Sequence, residues 1–569
     1  MWHRRSTRVR FRKVWSLALL LIVCDASAQT GVADRIAAAD RALEVYALGR
    51  YGDAEPLLLS VTELNPWNGR AWAALGHSLL SNGKPDQAIE SLEHALSVGV
   101  DPASVSYNLA CAYARLNDVD RAIGWLEGAL NAKFNDWNAL ATDPDLDPIR
   151  GDARFIEILG DPAAGLSRDE RWTHDIDFCA RRIERLHYDV YANVSRDEFH
   201  GVLAALKADV GSLGDDQIVL RLQRVIALIH DGHTRVRRVE SEGGATYPLG
   251  FYWYSDGVHV RTTSPEHADL LGAELTSIAG RPVDEVIALL TPYVSRDNEM
   301  GVRRIVPTYL SLPVAMKEVG LSGSDGSVEF GLRNVGGEGV SVRISPVVES
   351  SPPRRVPANR GAAAPLPRYL SRARETFGFE FIPDTGLVYA WINEISDTES
   401  ETFAQFVSRM FAFIDENDAV ALAIDLRING GGNNFLNDSL VDAVANHDTI
   451  NRRGGIFVIT GRATFSAAMD LVTDLTVETN AMIVGEPGGS GPNAVGDPRT
   501  IVLPCSGVEV RCSTLFWQRT NGWDRRTLIW PDIPAELSST DFAANRDPAL
   551  DSILEYLSGS RVGAPAIRE

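Results

Sequence analysis

A period of 34 residues runs through the N-terminal part of the chain and limits what that part can fold into. Ala54, Ala88 and Ala122 fall on it, as do Leu58, Leu92 and Leu126, and Gly49 and Gly83 share a turn position. Each period therefore reads as two helices joined at a glycine. Small residues at the Ala88-type positions let the helices of a unit approach, and large Leu92-type side chains fill the seam. One such pair cannot bury its own apolar face, so the units have to stack. Two and a half to three helix pairs are expected between about Gly31 and Gly165.

In the second unit, Trp72, Leu75, Gly76, Leu79, Gly83, Ala88, Leu92 and Ala95 match the tetratricopeptide repeat pattern. That resemblance implies an α-solenoid over residues 29–165, acting as a groove for a peptide or protein partner or as a bare spacer. Ahead of it, Arg4, Arg5, Arg8, Arg10, Arg12 and Lys13 precede the apolar run Val14 to Val23, and Ala26-Ser27-Ala28 follows. This pattern reads as a signal peptide, 1–28, cleaved after Ala28, so a periplasmic or secreted protein is expected. The apolar run is too short to span a bilayer, and no membrane span is expected once it is removed. Leu21-Ile22-Val23-Cys24 places a bulky valine where a lipoprotein box needs a small residue, so lipid anchoring is not expected.

The formal net charge of the whole chain is −21, and loss of the basic leader makes it more negative. Such a surface repels nucleic acid and anionic membranes, and no nucleic-acid partner is expected. Export permits disulfides among Cys111, Cys179, Cys505 and Cys512. Cys505 and Cys512 flank Ser506-Gly507 in what reads as a hairpin, which leaves either a cross-strand bridge or two unpaired core cysteines. Neither metal nor cofactor is expected. No cysteine or histidine spacing gives a zinc site, and Pro148 and Arg154 break the calcium-loop pattern begun by Asp143, Asp145 and Asp147.

The chemistry concentrates in three remote stretches. Ile456-Phe457-Val458-Ile459 followed by Thr464-Phe465-Ser466-Ala467-Ala468-Met469-Asp470 reads as strand, turn and helix, with Ser466 at the helix N-terminus. There a hydroxyl is surrounded by free backbone N–H groups and by the positive end of the helix dipole, which suits either a plain cap or a nucleophile. The buried-strand pattern Val420 to Arg427 runs into Asn429-Gly430-Gly431-Gly432-Asn433, a loop built for positive φ and close approach. Ile229-His230-Asp231-Gly232-His233-Thr234 places a histidine on a tight turn after a helix.

Asp231-Gly232-His233-Thr234, Ile424 to Gly432, Thr464 to Ala468, Val484-Gly485-Glu486-Pro487 and Trp530-Pro531-Asp532-Ile533 occur in this order. Together they resemble the motifs of the tail-specific (C-terminal processing) serine peptidases and the related tricorn core protease, over roughly Asp169 to Leu557. The resemblance implies a ClpP/crotonase-like α/β core, with Ser466 as nucleophile and the amides of Ala467 and Gly431 or Gly432 as oxyanion hole. This chain departs from the family at Phe465 and at Met469-Asp470, where alanine and glutamate are usual. It also has no lysine after Lys317, which excludes a serine–lysine pair, since arginine stays protonated and cannot act as a base. The tricorn-like branch takes its base from a histidine, and His233 lies at that place. Imidazole titrates near working pH and suits the role. For the third member, Asp524 precedes Pro531 by seven residues, with Asp231 and Glu486 as rivals.

These motifs divide the rest of the chain. Residues 166–240 form a helical segment that delivers His233, with Trp172, Ile176, Ile183 and Leu186 on one stripe. Residues 241–349 turn to short alternating strands, where Leu271 to Val283 resembles part of a PDZ module, which binds peptides by strand addition. Residues 350–375, rich in proline and arginine, read as a linker or lid. Residues 376–569 form the catalytic core, where alternating strands and helices give a mostly parallel sheet covered on both faces. The whole is a multidomain α and α/β chain. The expected function is peptide-bond hydrolysis on a protein or peptide substrate; the alternative is a catalytically inactive relative that binds or scaffolds in the cell envelope.

Overall fold

Helices Val32–Ala47 and Tyr51–Leu64, Gly69–Ser81 and Pro85–Ser97, and Pro102–Arg115 and Val119–Asn131 form three consecutive pairs. Ala54, Ala88, Ala122, Leu58, Leu92 and Leu126 are all fully buried, as the period requires. A Cβ on Gly76 would stand 2.5 Å from Leu92 Cγ, so this glycine sets how closely the second pair packs. Gly49 and Gly83 end their first helices with φ of +71° and +78°. One period further on, Asn117 takes φ +58° in the same place, a conformation that asparagine tolerates better than most side chains. The computed structural model describes residues 31–134, 136–160, 165–348 and 356–562, so the expected signal peptide lies outside the described residues. The chain divides into two compact units, Met1–Asp161, which holds these helices, and Pro162–Glu569.

The second unit is built on three sheets. The largest parallel element runs in the order Ile533–Pro534, Met482–Gly485, Ile456–Thr460, Ala421–Asp425, Leu387–Ile392, Phe377–Ile382. All neighbours are parallel except the last pair. Every residue of Ala421–Asp425 and Ile456–Thr460 is buried, because successive side chains point to opposite faces and both faces are covered. Leu422, Ile424 and Val458 pack toward helices Phe403–Glu416 and Ala467–Glu478, while Ala423, Phe457 and Ile459 pack against Ile553 and Leu557 of the C-terminal helix.

A small antiparallel sheet positions the histidine turn. Arg235–Val236 pairs with Glu509–Gln518, which pairs with Asn493–Val502. Val236, Val510, Cys512 and Ile501 share a core with Ile176 and Ile183 of helix Arg168–Leu186. Cys512 faces Arg499 across the ladder and Cys505 lies beyond the strand in the turn, so no disulfide joins the two. Between these parts, Leu249–Tyr254, Gly257–Thr263, Glu274–Ile278, Val328–Arg333 and Gly339–Ile344 form an antiparallel sheet packed with helices Val283–Leu290 and Glu299–Tyr309.

In the stretch read as linker or lid, residues 356–375 are fastened to the unit. Val356 pairs with Thr263, Asn359 donates to Asn545 at 2.8 Å, and buried Tyr369 lies 4.2 Å beneath the Arg427 guanidinium. Among the described residues, no helix is long and apolar enough to cross a membrane.

Candidate functional site

Ser466 stands between strand Ile456–Thr460 and helix Ala467–Glu478, with φ 57° and ψ −133°. A non-glycine residue there is strained, and such strain persists only where its surroundings enforce it. Buried Thr464 accepts from Gly461 N and donates to the Leu426 carbonyl at 2.8 Å, and Phe465 N donates to the Asn429 carbonyl at 3.1 Å. The elbow is thereby tied to the loop that leaves the neighbouring strand.

In that loop Gly431 and Gly432 take φ of +120° and +139°. A Cβ on Gly431 would lie 3.2 Å from Ser466 Oγ, and one on Gly432 would overlap the Ile395 carbonyl. Only glycine therefore lets this backbone approach the serine. Asn429 is fully buried, donates to the Ile392 carbonyl at 2.9 Å and accepts from Gly431 N at 2.8 Å. The Gly431 amide is thus spent within its own loop. The amides of Gly432 and Ala467 donate to no group among the described residues.

His233 and Ser466 line one cavity of about 980 Å³, with Gly431, Gly432, Ala467 and Phe465. The imidazole lies 4.3 Å from the Phe465 ring, centroid to centroid, and its side chain is 10% exposed. Phe465 fits because Gly232 and Gly489 lack side chains; a Cβ on them would stand 2.9 and 3.1 Å from the ring. Among the described residues neither imidazole nitrogen completes a hydrogen bond, although the Val495 backbone is close enough to act on the ring. Burial pulls His233 below its ordinary value; Asp231 opposes this, and Arg511 and Arg235 add to it.

The three acids considered for the third position are placed differently. Asp524 lies outside the cavity lining, where its carboxylate accepts from Arg526 at 2.6 Å and from Thr520 at 3.0 Å. The Arg526 hydrogen bonds hold it below the usual carboxylate range. Glu486 is taken by Arg462 through bonds of 2.9 and 2.7 Å. Asp231 has its Oδ1 3.8 Å from His233 Nδ1 and accepts from the His233 backbone N–H at 2.9 Å. It also accepts from His187 Nε2 at 3.2 Å and from Thr234 Oγ1. Burial acts to raise its carboxyl, but His187, His233 and Thr234 outweigh that and leave it lowered. Spacing from the Pro531 motif pointed to Asp524, but a two-residue Asp524–Arg526 turn captures that carboxylate locally.

One residue of the site carried no sequence signal. Asp297 reaches Gly232 N at 2.6 Å while its Oδ2 is buried without a partner. Burial and the field of Asp231 raise its carboxyl well above the usual range, which favours its protonated form. Asn298 places it, donating to the Gly488 and Thr527 carbonyls at 3.1 and 2.8 Å. Elsewhere, His174, Asp175 and Cys505 bring donor atoms within 4.8 Å of one another, a cluster that spacing along the chain conceals. Both Asp175 oxygens already accept amides, from Cys505 at 2.9 Å and Ser506 at 2.8 Å, so the carboxylate is committed to holding that turn.

A family model for the tetratricopeptide repeat matches residues 73–137. A chloroplastic protein of Arabidopsis thaliana is 38% identical over 87 residues, which are 15% of this chain and 26% of that protein. The chain therefore spans about a quarter of that relative's length. Among solved structures, mature CPAF complexed with lactacystin is similar over 69% of this chain and 98% of its own, at 14% identity and a TM-score of 0.48. The photosystem II D1 C-terminal processing protease is similar over 68% of this chain and 97% of its own, at 12% identity and a TM-score of 0.32. PcrH from Pseudomonas aeruginosa is similar over 23% of this chain and 92% of its own, at 18% identity and a TM-score of 0.18. The chain thus carries tetratricopeptide repeats, followed by the unit of mixed sheets that holds Ser466 and His233.

Proposed function

We propose that this chain is a serine peptidase that hydrolyses peptide bonds through an acyl-enzyme on Ser466. One observation carries the reading: at a strained elbow the Ser466 hydroxyl faces a glycine loop, and the amides of Gly432 and Ala467, which line the same cavity, have no acceptor among the described residues. Donors held ready in a sheltered cleft stabilise an oxyanion without reorganising, and each typically contributes about 2.7 to 4 kcal/mol to the transition state.

In the proposed reaction His233 takes the Ser466 proton as Oγ bonds to the carbonyl carbon, and the carbonyl electron pair moves onto oxygen. Gly432 and Ala467 hold that oxyanion. Its collapse breaks the C–N bond, and the leaving amine receives the proton from His233. Water then repeats the sequence on the acyl-enzyme and releases the acid. The first transfer needs His233 within hydrogen-bond reach of Ser466, and contacts of this kind tighten when substrate fills the site. Asp231, in place of Asp524, supports the imidazolium through its field and fixes the turn that carries it.

A fluorophosphonate probe tests the reading. It should label the full-length protein, fail on Ser466→Ala, and label His233→Ala far more slowly. Equal labelling of wild type and Ser466→Ala overturns it, and a folded wild type that never labels leaves the binding or scaffolding role. We also propose export, on the basic leader and apolar run ahead of Gln29. N-terminal sequencing of the secreted or periplasmic protein should begin at Gln29. The repeats are proposed to hold a protein partner or substrate.

A further inference from the structure

The cavity that holds Ser466 and His233 has a cationic wall within a chain of net charge −21. Arg235 and Arg511 are direct partners across an antiparallel ladder, and Arg304 lines the same cavity from helix Glu299–Tyr309. Like charges placed opposite one another destabilise a ladder, so this arrangement calls for a reason. The other arginines of the wall are accounted for. Arg237 is paired with Glu509, Arg238 with Glu240 at 3.1 Å, and Arg296 donates to the Thr291 and Val294 carbonyls. Among the described residues Arg235, Arg304 and Arg511 have no acidic partner, and Arg235 donates to the Arg237 carbonyl at 3.2 Å.

The acids of the cavity do not neutralise them. Asp470 is engaged by Asn434 at 2.8 Å and by Arg519 at 3.4 Å, Asp497 pairs with Arg499 at 3.3 Å, burial and Asp231 push the Asp297 carboxyl toward its neutral form, and Glu394, exposed in the same lining, makes no ion pair with these arginines among the described residues. The protein wall around Arg235 and Arg304 lowers both below the ordinary guanidinium range, and Arg511 and Arg304 depress Arg235 further, although both side chains still reach solvent through the cleft. The charges of Arg511 and Arg235 also reach His233, which sets the cluster beside the reacting end of the cavity.

We propose that Arg235, Arg304 and Arg511 form a substrate subsite that binds acidic side chains of the polypeptide and so directs cleavage to aspartate- and glutamate-rich sequences. Planar guanidiniums match carboxylate geometry in two-point hydrogen bonds, and three of them with no internal counter-ion offer both charge and fork geometry. A bound carboxylate would relieve the repulsion between Arg235 and Arg511. This subsite rests on the peptidase reading for its place in a reaction, but its binding is measurable without turnover.

The test uses full-length Ser466→Ala protein and fluorescent peptides in an anisotropy titration. The panel holds an aspartate- and glutamate-rich peptide and a neutral peptide of equal length, each with a free or amidated C-terminus. An acidic peptide should bind roughly tenfold or more tightly than the neutral one, with the advantage shrinking as salt is added. Amidation should leave that advantage in place; an advantage that disappears on amidation would put the ligand at the chain terminus and overturn the subsite for acidic side chains. Arg304→Gln, on an exposed helical position, and Arg511→Gln should collapse the acidic-to-neutral ratio toward one, and Arg511→Lys should restore part of it. Circular dichroism melts confirm that each variant is folded. Equal affinity for acidic and neutral peptides, or a ratio that survives both glutamine variants, overturns the subsite. Fluorophosphonate labelling of wild type is read separately. A chain that fails to label but binds acidic peptides through these arginines keeps the subsite and loses the peptidase reading, and a chain that labels without preference does the reverse.

Discussion

A methyl group added to Gly431 would stand 2.7 Å from Ser466 Cβ and 3.2 Å from its Oγ, so the loop and the elbow can meet only through glycine. At φ +120° an alanine would also be strained by about 1 to 3 kcal/mol. Gly431→Ala should therefore push the loop from the elbow and carry the Gly432 amide out of position. Losing one oxyanion donor costs roughly 100- to 1000-fold in turnover. The fluorophosphonate labelling rate of a folded Gly431→Ala protein should fall by that order, and a rate within twofold of wild type would show that the loop takes no part in the chemistry.

His233 must be neutral to accept a proton, and burial lowers it from its ordinary 6.5. The labelling rate should rise with pH through a midpoint below 6.5 and stay level above it. Phe465→Ala admits water to the ring and removes a neighbour 4.3 Å away, so the midpoint should move up toward 6.5. Arg511→Gln should move it the same way by removing a repelling charge. A pH–rate curve that neither variant displaces would exclude His233 as the titrating group.

Asp231 and Asp524 are told apart by paired variants. Asp231→Asn breaks a buried network with His187, Thr234 and the His233 backbone, and removing one partner of a buried charged network typically costs about 3 to 5 kcal/mol. Labelling should slow and the melting temperature drop. Asp524→Asn removes only a local bond to Arg526 and Thr520 and should leave the labelling rate near wild type. A large loss of labelling in a folded Asp524→Asn protein would return the third position to it.

The repeats offer an independent check on packing. Gly76→Ala places a methyl 2.5 Å from Leu92 Cγ and should destabilise Met1–Asp161 by about 1 to 3 kcal/mol through overpacking. Asn117→Gly, at a left-handed turn position, should be neutral or slightly stabilising. Chemical denaturation followed by circular dichroism separates the two outcomes.

What the sequence made legible was whatever is local. Ala54, Ala88 and Ala122 announce their helix pairs because burial repeats with the period, and the run from Ile456 to Ala468 announces strand, turn and helix because each residue type has a local preference. Spacing ranks Asp524 ahead of Asp231 and Glu486, whereas side-chain contacts, which spacing does not show, set them apart: Arg526 captures the Asp524 carboxylate and His187 reaches Asp231. Nor could spacing show that Asn429 consumes the Gly431 amide and leaves Gly432 free. The Arg235–Arg511 pairing follows from the register of one ladder, and the placing of Cys512 opposite Arg499 with Cys505 left in the turn follows from that of the neighbouring ladder, neither of which alternation along a single strand encodes.

Asp297 gives a prediction whose sign follows from its surroundings. An unfolded aspartate releases its proton near 3.8, whereas burial and the nearby Asp231 carboxylate hold the folded group's proton to higher pH. The Asp231 carboxyl beside it is shifted the other way, toward its ionised form, by His187, His233 and Thr234. As pH rises from 3.8, the unfolded chain has lost a proton that the folded chain keeps, and stability falls until the folded group also ionises. The slope within that window is at most about 1.4 kcal/mol per pH unit. Asp297→Asn keeps an oxygen to accept Gly232 N at the 2.6 Å position and has no proton to lose. Its unfolding free energy relative to wild type should therefore climb from about pH 4 toward neutrality, as measured by urea denaturation at each pH. Parallel curves for the two proteins would mean that the Asp297 carboxyl titrates normally and that the floor of the cavity is charged.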